Sequence, residues 1–320
     1  MENADRARAE APSSLRDGQQ EAERNFRGRA DLHLTQRTRN YLDALLHSTA
    51  LERNQVTSVI LCGSAVNGAF SEETSDVDLI IVLRDMASAE HRRCLHEAVL
   101  RLEIEHGFRS PSTRTKNPVE RFAEHAGGHA ASDFICTRSD LLSGDVARVF
   151  HLRTAEKPFV PRIVLASVIL SAVTIWGEDL LPGVPLLPLR RLDVFKACFN
   201  LFSMLLLSAA GYPVLSDATK YALSALKHAL HSWYFCYHLR TASLDEEVAF
   251  FNSRLSKSVM LQELLKRRRT SSRSFGVVLR CMPVVLHLHL RTLRDNHFPR
   301  AVSRASQCSQ PIFRAEGRIQ

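Results

Sequence analysis

Two aspartates two residues apart, Asp76 and Asp78, and a Gly63-Ser64 pair upstream of them are the residues of this chain best suited to chemistry. Successive side chains of a strand point to opposite faces, so Asp76 and Asp78, opening the apolar run Val77–Leu83, project from one face about 7 Å apart. Two carboxylates held that close repel each other unless a cation lies between them. Mg²⁺, a hard ion that takes carboxylate oxygens together with substrate phosphates, suits such a pair, with Mn²⁺ as an alternative. Gly63 allows close approach of a ligand to the backbone, and Ser64 adds a hydroxyl beside its own amide. Together they can donate hydrogen bonds to phosphate oxygens. A surface hairpin with aspartates in its turn is the plainer alternative for either motif taken alone.

The conjunction carries more than its parts. An apolar strand from Val59 to Cys62, Gly63-Ser64, a linker containing Gly68, Ser75-Asp76-Val77-Asp78 and a second apolar strand follow in order. This pattern resembles the signature of the polymerase-β-type nucleotidyltransferases, and most closely that of the aminoglycoside-type small enzymes. The resemblance covers about a tenth of the chain. It implies an α+β fold: a nucleotidyltransferase domain with a small mixed sheet and flanking helices, then an all-α bundle. It also implies transfer of a nucleoside monophosphate from a nucleoside triphosphate, ATP as first choice, to an acceptor hydroxyl. Gly63 and Ser64 would bind the nucleotide, and Asp76 and Asp78 would hold the metal. Asp133, which begins the short strand 133–137, is the candidate third carboxylate, serving as metal ligand and as the group that activates the hydroxyl. Lys220, in the helical half, is a candidate nucleotide contact. The expected acceptor is a small molecule. RNA (tRNA) or a protein is the alternative acceptor, and an inactive nucleotide-binding scaffold is the rival of another class. Val66 and Asn67 stand where such resistance enzymes often carry arginine, which weakens the case for an antibiotic substrate.

Composition is compatible with these readings. The 320 residues are 45% hydrophobic and 24% charged, ordinary values for a soluble globular chain with room for two domains. A net charge of +8 favours anionic partners without singling out nucleic acid. Seven cysteines occur singly, with no paired Cys-x-x-Cys spacing, so reduced thiols in a cytoplasmic protein are expected, and no zinc site. The N-terminal stretch is charged and lacks an apolar segment, so no secretory signal is expected there. The apolar runs 163–176 and 198–210 are shorter than a membrane span and read as core helices, so no membrane partner is expected.

The elements that must position the motif follow from periodicity. Helices are expected over 34–52, 86–107 and 162–176, then over 192–210, 217–240, 243–266 and 275–296. Residues 109–130 read as a long polar loop. Glu103 and Glu105 read as solvent-facing helix residues, and Asp140 and Asp145 as helix caps. In IWGEDLLP, Gly177 reads as a helix stop, with Glu178 and Asp179 as candidates for the cleft. The domains then run 1–30 (tail), 31–160 (catalytic), 161–298 (helical) and 299–320 (tail).

Overall fold

The computed structural model describes residues 34–48, 55–66, 77–109, 133–152, 160–186, 188–255, 259–267 and 273–295. Asp76, the loop 110–132 and both expected tails lie outside them.

Four strands form one sheet in the order β3-β2-β1-β4: β1 Val56–Cys62, β2 Asp78–Leu83, β3 Asp133–Thr137 and β4 Val173–Gly177. β2 and β4 run antiparallel to β1, and β3 runs parallel to β2. The mixed sheet agrees with the expected α+β class. β1 and β2 read as nearly continuous apolar runs because both of their faces are covered. On one face, Leu61, Leu79 and Ile81 pack with Tyr41 and Leu45 of α1 (Gln36–His47) and with Leu95 and Val99 of α2 (Ala89–Glu105). On the other, Ile60, Ile80 and Val82 meet Leu141 of α3 (Arg138–Leu142), Val146 and Val149 of α4 (Val146–Val149), and Leu165 and Ile169 of α5 (Arg162–Ser171).

β4 corrects the expected helix over 162–176. The helix stops at Ser171, and Val173, Thr174 and Ile175, three consecutive β-branched residues, take up the free edge of β1 instead. Gly177 therefore ends a strand, not a helix. At φ +80° it packs so tightly on the Thr57 carbonyl that a side chain there would collide with it. The α+β unit thus extends past residue 160, through Gly177 and on to Leu180, Leu181 and Val184, which join the same core.

Glu103 is also corrected. Its spacing from Leu95 and Val99 puts it on the inner stripe of α2, where it is buried and pairs with Arg109 at 3.2 Å. Glu105 is exposed as expected. Asp145 caps α4 by accepting from the Ala147 amide, and Asp140 forms a capping box with Thr137 at the start of α3.

The remaining helices make a bundle: α6 Arg191–Ala210, α7 Ala218–His238, α8 Leu244–Arg254, α9 Val259–Arg267 and α10 Phe275–Asp295. The single helix expected over 243–266 is two, α8 and α9. α7 lies at the centre, packed on both α6 and α10, and Trp233, Tyr234 and Phe235 are core residues as their helical spacing implied. By length and composition α6 and α10 are long and apolar enough to cross a membrane, a test that core helices pass as well, and both are longer than the apolar runs read from the sequence.

Candidate active site

The corner of the sheet where β1 ends and β2 begins gathers the described part of the motif. Cys62 and Asp78 are partners in the ladder, so the Gly63-Ser64 turn leaves β1 directly beside the first residue of β2. A single 3₁₀ turn, Gly63–Ala65, follows, closed by a bond from the Val66 amide to the Gly63 carbonyl. Gly63 has φ +71°, a left-handed conformation that a side chain makes costly. The space its β-carbon would fill is occupied by the Asp78 carboxylate, which reaches into the site of that missing atom through Oδ2. Glycine is thus required twice over, once by its backbone and once by its neighbour. Ser64 is half-buried at the same turn, and Ala65 is buried beneath it.

Cys62 sits beside this corner with its thiol directed at the Asp78 carbonyl, 3.4 Å away. Complete burial, reinforced by the Asp78 charge, pushes the thiol well above its usual range. It stays neutral and is not a nucleophile.

The structure does not bring Asp133 to this corner. It pairs with Leu79, not with Asp78, and so shares the face of Leu79 and Ile81, opposite to that of Asp78, Ile80 and Cys62. Its buried side chain lies under α2, where Oδ2 accepts a hydrogen bond from His96 Nδ1 at 2.7 Å. That bond is the main reason the His96 imidazole is held above its ordinary value. The expected third carboxylate is thereby corrected to a buried partner of a helix histidine. Placement at a strand's start was legible in the sequence, but the face depends on pairing register.

Lys220 is exposed on the first turn of α7, a helix that packs chiefly on other helices, and among the described residues nothing joins it to Gly63 or Asp78. Glu178 and Asp179 are at the wrong end of the sheet. The Glu178 amide bonds the Thr57 carbonyl, five residues back along β1 from Cys62, or roughly 16 Å at the rise of a strand. Glu178 pairs there with Arg138 at 2.9 Å, and Asp179 accepts from Thr174 at 2.7 Å.

A metal at this corner would draw on Asp78 and, by its spacing, on Asp76, which lies outside the described residues. Among the described residues no three histidine, cysteine or carboxylate side chains converge on one point. Still, the carboxylate seated against a bare glycine backbone is a hard-oxygen donor beside an open turn, which fits Mg²⁺ with phosphate completing its shell.

Residues 46–124 match the family model described as a nucleotidyltransferase domain, a stretch from the end of α1 through β1, the turn, β2 and α2. Among solved structures, spectinomycin adenyltransferase AAD(9) from Enterococcus faecialis, crystallised with ATP and spectinomycin, is similar at 10% identity and a TM-score of 0.46. The likeness covers 79% of this chain and 97% of that one, and it is too distant to assign a substrate. Curated proteins offer no significant match. Residues 46–124 thus match a nucleotidyltransferase domain, the class that the Gly-Ser and Asp-x-Asp motif resembles.

Proposed function

We propose that the protein moves a nucleoside monophosphate from a nucleoside triphosphate, ATP first, to a hydroxyl of a small-molecule acceptor, with release of pyrophosphate. The observation that carries this reading is the fit of the Asp78 carboxylate into the side-chain space of Gly63, which keeps a carboxylate and a bare backbone turn within one ligand's reach.

In this reading the Gly63 and Ser64 amides and the Ser64 hydroxyl hold the terminal phosphates. Asp78, with Asp76, would hold Mg²⁺ (Mn²⁺ as substitute), which when bound neutralises charge on the phosphates. The acceptor hydroxyl oxygen gives up its proton to solvent and bonds to the α-phosphorus as the bond from that phosphorus to the bridging oxygen breaks. The electron pair leaves with pyrophosphate. The protein's own contribution is alignment and a fixed negative site that sets where the cation-bound triphosphate lies. Asp133 and Lys220 are left out of this mechanism. The described cysteines are unpaired, which supports a reducing, cytoplasmic setting.

The test is a transfer assay with α-labelled nucleoside triphosphates, Mg²⁺ and a panel of hydroxylated small molecules, tRNA and total protein. Labelled small-molecule product with matching pyrophosphate, lost in the Asp76→Asn/Asp78→Asn double variant, supports the reading. Label on tRNA or protein would move the acceptor to a macromolecule, which the charge of +8 favours. Nucleotide binding with no product from any acceptor would make the domain a binding module.

A further inference from the structure

α10 turns two stripes of different character outward. Its inner stripe, with Val278, Cys281, Val285 and Leu288, is buried in the bundle, where the helix packs on α6 and α7. Phe275, Leu279, Leu286 and Leu290 are instead 42–56% exposed. Helical geometry gathers these four into a sector of about 60° that runs along roughly 22 Å of the helix. Only at Phe275 does a ring, that of Tyr212 at 4.9 Å, lean on the stripe among the described residues. Arg280, His287 and Arg294, spaced seven apart and all exposed, form a second sector roughly a quarter turn from the first.

Nothing negative balances that second sector. The acid of α10, Asp295, accepts a hydrogen bond from Tyr237 and pairs with Arg291. Glu263 of α9, whose carboxylate feels the Arg280 charge, pairs with Arg267. Among the described residues neither Arg280 nor Arg294 has an ion-pair partner. Single exposed leucines need no explanation, but an aligned apolar stripe beside a basic one calls for an occupant both apolar and anionic. Nucleic acid supplies the phosphates and no apolar layer to take the leucines. A bilayer containing anionic lipid supplies both. When the leucines face the acyl chains, a quarter turn sets the guanidinium groups level with the headgroup phosphates.

We infer that α10 docks the protein onto the surface of a membrane that contains anionic phospholipid. The helix lies on the bilayer and does not cross it, because its inner stripe belongs to the bundle core. Leucine burial supplies the hold, and the two arginines select the charge of the surface.

Flotation of the full chain with phosphatidylcholine vesicles, with and without about 30% phosphatidylserine, tests this. Binding is expected on the anionic vesicles, about tenfold or more weaker on the neutral ones, and reduced in about 1 M salt. Two variants at exposed positions separate the contributions, each expected to keep its helical circular dichroism. Leu286→Asn/Leu290→Asn leaves the charge unchanged and should weaken binding to anionic vesicles by about tenfold or more. Arg280→Gln/Arg294→Gln should weaken it by a similar factor and leave the weak binding to neutral vesicles unchanged. A wild-type chain that stays off anionic vesicles overturns the proposal. So does a folded leucine variant, or a folded arginine variant, that binds them as well as wild type. Binding to polyuridylate that the arginine variant loses, with no vesicle binding, would put RNA on this face and overturn it equally.

Discussion

Asp133 Oδ2 accepts a hydrogen bond from His96 Nδ1 at 2.7 Å, on the face of the sheet turned away from Asp78. Because Asp133 pairs with Leu79, no side-chain rotation carries it to the Gly63 turn. Asp133→Asn should therefore leave nucleotidyl transfer near the wild-type rate and lower stability by roughly 1–3 kcal/mol, the usual cost of breaking a buried polar pair. Chemical denaturation and the transfer assay, run side by side, separate the two. A loss of activity matching that of Asp78→Asn would return Asp133 to the catalytic machinery.

The same pair has a pH signature. The hydrogen bond to Asp133 raises the His96 imidazole above its unfolded value of about 6.5. A raised folded value means the stabilisation is full below about 6.5 and is lost as pH rises through the folded midpoint. The stability gap between wild type and Asp133→Asn should thus be larger at roughly pH 6 than at pH 8.5. Following the His96 ring proton by NMR should give a midpoint above 6.5 that falls toward it in Asp133→Asn. An unchanged midpoint would deny the coupling.

Gly63→Ala meets two penalties at one site. The left-handed backbone costs an L-residue about 1–2 kcal/mol, and the new methyl displaces the Asp78 carboxylate. Transfer should fall far more than melting temperature does. Wild-type kinetics from this variant would show that the close fit of Gly63 and Asp78 is unimportant.

Asp78→Asn keeps the shape and removes the charge. A drop of about 10²–10³ in turnover is expected, the scale of losing one electrostatic contact in a transferring site. Magnesium-dependent nucleotide binding, measured by titration calorimetry, should weaken with it. For the wild-type protein, chelation should abolish transfer, and added Mg²⁺ or Mn²⁺ should restore it.

β4 supplies the partner for the second edge of β1. A fragment ending at residue 160 would leave that edge, in an apolar strand, open to association with other chains. It should aggregate, whereas a fragment ending at 186 should stay soluble. Gel filtration of the two decides the domain boundary.

Residue order alone was enough for everything that depends on near neighbours. The apolar strands around Gly63-Ser64 and Asp78, the caps at Asp140 and Asp145, and the core stripe through Trp233 are set by periodicities of two and 3.6. Pairing register and packing decided the rest. Which face Asp133 occupies turns on a one-residue offset against β2. The choice of strand over helix at Val173–Gly177 turns on the free edge of β1, which lies far away along the chain. These are long-range relations, and the local pattern of side chains does not encode them.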